Sequence, residues 1–121
     1  MKFTTAFCVG AFVCAGFASS AFAGTWDGAY GNTIVSTYSN GMVVKVYVES
    51  DHTYSITMPD GSKLKGTWAD GSGGSCFTVT DPAPKPGATP TCFPIKDYKV
   101  GDTFSGSDSF GSFSGVVNAG R

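Results

Sequence analysis

The sequence predicts an all-β protein: a small antiparallel up-and-down β-barrel of about eight strands, carrying one disulfide. Three observations lead there. Apolar and polar residues alternate with period two along much of the chain, the pattern of half-buried antiparallel strands. Turn-forming clusters such as Ser39-Asn40-Gly41 and Pro59-Asp60-Gly61 separate those runs at short intervals. Past residue 23, no apolar period of 3.6 persists long enough for a helix. Hairpins following one another make a meander, and closing a meander into a barrel removes its exposed edges.

The first residues stand apart from this pattern. Met1-Lys2 gives one positive charge, residues 3–17 form an uncharged apolar run, and Ala21-Phe22-Ala23 supplies a small-residue cleavage site. That order is the form of a secretory signal peptide covering residues 1–23. A membrane anchor needs about 20 apolar residues, and this run is shorter and rich in Gly, Ala and Thr. Cys8 and Cys14 would leave with the signal. The expected product is one exported domain, residues 24–121, periplasmic or extracellular and not membrane-spanning. It lies near the lower size at which a core sustains itself.

That domain opens "GTWDG", and "GTWADG" returns at Gly66. Both copies are expected to mark strands, with Trp26 and Trp68 projecting inward. The Gly before each Trp would let the backbone bend or a neighbouring ring lie over it. Chance duplication of a common tripeptide is the competing reading.

Residues 32–38 form the next strand. In residues 42–49, Met42, Val44, Val46 and Val48 share one face and Val43, Lys45, Tyr47 and Glu49 the other. Residues 53–58 place Tyr54, Ile56 and Met58 on the apolar face, and residues 63–68 place Leu64 and Trp68 there. A turn over residues 70–74 leads to a strand at 75–80.

Two cysteines remain, Cys76 and Cys92, and an exported chain with one such pair oxidises it. A loop of this length stabilises by about 3 kcal/mol in the chain-entropy model. Between them lies "DPAPKPGATPT", whose four prolines bar a central strand and predict an extended excursion. The disulfide would close this excursion at its base, on adjacent strands. The last stretch is rich in Gly and Ser but also carries Phe104, Phe110, Phe113, Val116 and Val117. It reads as a final hairpin turning near residues 107–109, its Phe side chains completing the core.

The stretch "GTWDGAYGNTIVST" resembles the first two strands of avidin-type barrels, and lipocalins share its Gly-x-Trp start. Gly28 and Asn32 stand where avidins place an Asn and a Ser against biotin, so the resemblance implies the barrel and not that ligand. The order "YGNTIVSTYSNG", "HTYSITMPDG", "KGTW", "CFTV", "TCFPI", "VGDTF" is similar to small exported bacterial disulfide-bonded β-barrel proteins of unassigned function. A weaker similarity, at the level of fold, is to periplasmic inhibitors of metalloproteases.

Charge is sparse and nearly balanced: of 8 Lys and Arg, Lys2 leaves with the signal, and the rest oppose 9 Asp and Glu. With no basic run, nucleic acid is not an expected partner. The single histidine, His52, sits in a turn beside Asp51 and reads as a solvated side chain rather than part of a Ser-His-Asp triad. Glu49 and Asp51 are the nearest carboxylate pair for glycoside chemistry, but a turn separates them. Asp60, Asp70 and Asp102 each lie in an Asp-Gly or Gly-Asp turn that explains them without calcium. Neither a metal nor a cofactor is expected.

The aromatic residues remain. Trp26, Tyr38, Tyr47, Tyr54 and Trp68 are the candidate ligand-binding set, since tyrosines suit an apolar pocket with a polar rim. Plain core packing competes, because small barrels fill themselves with their own side chains. The expected function is therefore a non-catalytic binding module for a protein partner or an apolar small molecule. The alternative is an inhibitor of a secreted protease, with the proline-rich excursion or an end loop entering the target cleft.

Overall fold

The alternating runs become a continuous ladder in the computed structural model, which describes residues 24–121. The signal peptide expected at 1–23 lies outside the described residues. Eight strands follow in order: β1 (Thr33–Tyr38), β2 (Val43–Val48), β3 (Thr53–Thr57), β4 (Lys63–Gly71), β5 (Gly74–Asp81), β6 (Thr91–Phe93), β7 (Thr103–Asp108) and β8 (Gly111–Asn118). Every ladder is antiparallel, and the sheet runs β6-β5-β4-β3-β2-β1-β8-β7. Its terminal strands, β6 and β7, come side by side without sharing a ladder, so the barrel is nearly closed.

Alternation decides what faces inward. Ile34, Val44, Val48, Tyr54, Trp68, Phe77, Phe93, Phe113 and Val117 are all buried in one core cluster. The turns use the expected chemistry: Gly41 and Gly61, at φ of 91° and 89°, donate their N–H groups to Tyr38 O and Met58 O. Cys76 and Cys92 face each other across the β5–β6 ladder and are bonded. Their neighbours Ser75, Phe77 and Phe93 point inward, so the bond lies on the outer wall.

Small residues make room for large rings. At Gly66, beside a register shift in β4, a side chain would strike both the Tyr54 ring and the carbonyl of Thr78. The predicted ring over the Gly of Gly-Thr-Trp is therefore found at Gly66, and the ring is Tyr54. At Gly115 the covering ring is Phe104.

The first Gly-Thr-Trp copy departs from expectation. Residues 25–31 form successive turns, not a strand, with Ala29 N–H bonded to Trp26 O and Asn32 N–H to Ala29 O. Glycines at 24, 28 and 31 and the Asp27 carboxylate, which accepts the Gly24 N–H, favour turning here. The segment lies across one end of the barrel, where Gly28 packs directly on the backbone of Tyr98 and Lys99. Trp26 still projects inward. The final hairpin turns at Ser109-Phe110, which places Phe110 on the tip and leaves it 46% exposed rather than in the core.

Candidate functional site

Strand direction sorts the molecule into two ends. The starts of β1, β3, β5 and β7 and the ends of β2, β4 and β8 lie at the floor. The Tyr38–Met42 and Met58–Ser62 turns, the proline-rich excursion and the β7–β8 turn lie at the mouth.

Trp26 fills the floor. Its ring stacks on Tyr98 at 4.3 Å, with the edges or faces of Phe77, Phe93 and Phe104 within 6.0 Å. Its indole N–H donates to the Ser75 hydroxyl at 2.7 Å, and both residues are essentially sealed from solvent. Tyr98 is fixed in turn by donating its O–H to Pro94 O and its N–H to Thr25 O.

The mouth is different. The inward positions there carry Ser36, Val46, Ile56, Leu64 and Val79, side chains too short to meet across the barrel. A cavity of about 900 Å³ results, with Trp26 as its base and residues 82–91 along one side. β6 contributes to this shape. It pairs only with Ser75, Cys76 and Phe77, so the wall lacks a strand beside the upper half of β5, where the excursion stands instead.

Among the polar side chains lining the cavity are Ser36, Tyr38, Tyr54 and Asp108. The Tyr38 hydroxyl donates to Asp108 Oδ2 at 2.7 Å, and Asp108 Oδ1 accepts the Phe110 N–H at 2.8 Å. Ser36 is 4% exposed and Tyr54 5% exposed, yet among the described residues neither hydroxyl has a hydrogen-bond partner. Burial raises the phenol of Tyr38 well above its ordinary range, helped by the hydrogen bond and charge of Asp108. Burial, and then the charge of Asp108, push Tyr54 up to about 12. Both phenols are therefore neutral donors at ordinary pH.

Of the five aromatic residues singled out from sequence, the cavity brings together Trp26, Tyr38 and Tyr54. Tyr47 sits on the outer face, under the Arg121 guanidinium at 5.1 Å, as its place in the alternation opposite Val46 and Val48 dictates. Trp68 belongs to the floor end and donates its indole N–H to Glu49 O. Asp108 was not singled out, although it continues the inward register of Phe104 and Gly106. That register was the available signal; the hairpin turn expected near residues 107–109 put Asp108 in the turn instead of on the strand.

The remaining titratable groups have local engagements. His52 is not simply solvated: it adopts φ of 71°, stacks on Trp68 at 4.2 Å and places Nδ1 3.0 Å from Trp68 O. Glu49 pairs with Arg121 at 2.7 Å instead of facing Asp51. Asp60 accepts from Ser62, Asp70 from Thr25 and Asp102 from Lys99. Among the described residues, no three His, Cys, Asp or Glu side chains gather as metal ligands, and no helix is long and apolar enough to cross a membrane.

The fold and cavity define a disulfide-bonded antiparallel barrel plugged at one end and open at the other. Compared with known proteins, the chain matches no family model, no curated protein and no solved structure.

Proposed function

We propose that this is an exported binding module that takes a small, largely apolar molecule into the mouth of its barrel. The carrying observation is the pair of buried hydroxyls on Ser36 and Tyr54 that face the cavity and have no hydrogen-bond partner among the described residues. A buried hydroxyl without a partner is costly, so native structures supply one, here a ligand atom or ordered water. A cavity of about 900 Å³ lies within the range of small-molecule sites. Apolar walls with a few placed polar groups match their chemistry.

Export is supported by the charge, apolar run and Ala-x-Ala order of residues 1–23, and by the Cys76–Cys92 bond. The outer face of β2 to β4 carries Lys45, Lys63, Lys65, Ser55 and Thr67, opposite to the apolar exterior of a lipid-spanning barrel.

The test is a titration with N-phenylnaphthylamine, a neutral apolar dye whose emission rises out of water. One saturable site per chain is expected, abolished by Ile56→Trp, which fills the cavity from β3. Absent or non-saturable binding, or binding indifferent to Ile56→Trp, would refute the reading.

Inhibition of a secreted protease is the second reading. It is favoured by the exposure of every residue from 81 to 90, with Lys85 between two prolines and a turn from Ala88 N–H to Lys85 O. Activity assays against secreted proteases with and without the Lys85→Ala protein decide it. Inhibition that vanishes in the variant would favour this second reading.

A further inference from the structure

We propose that the mouth is selective for an organic cation, whose charged end sits between the Asp108 carboxylate and the rings of Tyr38, Phe110 and Phe113. This deepens the small-molecule reading of the same cavity and rests on it.

Among the described residues, Asp108 is the only acidic one lining the cavity, and the donors that hold it there, the Tyr38 hydroxyl and the Phe110 amide, are neutral. Hydrogen bonds from neutral groups orient a carboxylate without cancelling its charge. The ion pairs found among the described residues, Lys99 with Asp97 and Arg121 with Glu49, leave Asp108 without a cation. A half-buried carboxylate among aromatic rings is costly unless a positive group completes it.

The rings supply the rest of such a site. Tyr38 meets Phe110 at 6.1 Å and 77°, and leans on Phe113 at 5.2 Å and 52°. Phe110 keeps 46% of its surface open, so part of its ring remains available to a ligand. Aromatic faces carry negative potential and attract cations, most of all alkylated ammonium groups that bind water weakly. An anion in this corner would meet the charge of Asp108. A neutral apolar group would strip water from that carboxylate and return nothing.

Among the described residues, Lys85 is the only basic one lining the cavity, and it is exposed on the excursion. Its ammonium group opposes an incoming cation. Removing it should strengthen cation binding a few-fold.

The experiment compares benzyltrimethylammonium with neopentylbenzene, its neutral isostere, by heteronuclear NMR titration of the disulfide-bonded domain. The cation should bind more tightly, shift the amides of Asp108, Phe110 and Phe113, and weaken as salt is raised. In Asp108→Asn its advantage over the isostere should fall about tenfold or more, the size of effect carried by a charge-assisted contact. Should that variant not fold, Phe110→Leu at the exposed tip should also lower the ratio.

Equal binding of the two probes, or a ratio unchanged in both variants, overturns cation selectivity and leaves the small-molecule reading standing. If neither probe shifts the mouth residues, and the neutral dye also fails, both readings fall together.

Discussion

The two ends of this barrel are built from the same alternating strands and arrive at opposite results. At the floor, one turn segment delivers Trp26 across the opening, where stacking on Tyr98 holds the ring and donation to Ser75 pairs its N–H. At the mouth, aliphatic side chains stop short of one another, and the hydroxyls of Ser36 and Tyr54 have no partner among the described residues. Close packing with satisfied hydrogen bonds concentrates stability. An unfilled, partly polar cavity gives some of that up and gains room for a ligand. The comparison therefore separates residues whose loss should unfold the protein from residues whose loss should change only what it binds.

The floor gives the largest expected effect. Trp26→Ala should cost about 3–5 kcal/mol, as deletion of a core aromatic does, and Trp68→Ala should fall in the same class. Denaturant unfolding reads this directly. A Trp26→Ala protein of wild-type stability would break the distinction between the ends. Next comes the outer-wall bond. Replacing Cys76 and Cys92 together by Ser should cost about 3 kcal/mol in the chain-entropy account, seen as a lower denaturation midpoint.

The mouth should show itself through alkaline pH. Tyr54 has its phenol raised from 10.0 to about 12 in the fold, and Tyr38 is raised as well. The folded state holds those protons more tightly than the unfolded state. Their contribution is complete below about pH 10 and is lost as pH rises through about 12. Melting temperature should fall across that window together with the rise of tyrosinate absorbance. In Tyr54→Phe the fall should be shallower.

Two smaller effects sharpen the contrast. Tyr54→Phe removes a buried hydroxyl with no partner among the described residues, so at neutral pH stability should change by less than about 1 kcal/mol, in either direction. A larger loss by calorimetry would mean that the hydroxyl is bonded within the protein. His52→Asn should be milder still, within about 0.5 kcal/mol, because Asn tolerates the left-handed backbone held at φ of 71°. His52→Val, which resists that backbone, should be clearly worse.

Much of the wall was legible in the sequence because its signals are local. Alternation assigned Val44, Val46 and Val48 to one face, and Asn40-Gly41 and Asp60-Gly61 marked the turns that the ladders confirm. The Cys76–Cys92 pairing followed from there being only two cysteines after residue 23. The first Gly-Thr-Trp was misleading because its tripeptide repeats the one in β4, while its use depends on distant Tyr98 and Ser75. Asp108 was missed because its meaning requires Tyr38, far away in the chain, to be brought opposite by the β1–β8 and β7–β8 ladders. Long-range closure decides a barrel's interior, and no local pattern reports it.

The three-residue length of β6 carries one more consequence, which concerns how molecules of this protein treat one another. Among the described residues, β5 has no ladder on its β6 side above Phe77, and β7 has none on its outer side. Unpaired edges of that kind template the strands of neighbouring chains and start aggregation. Here the stretch beside the gap carries prolines at 82, 84, 86 and 90, residues with no N–H to offer a new ladder. The excursion thus serves as a guard rail at the seam. It keeps the barrel ajar while giving a second copy little backbone to zip onto.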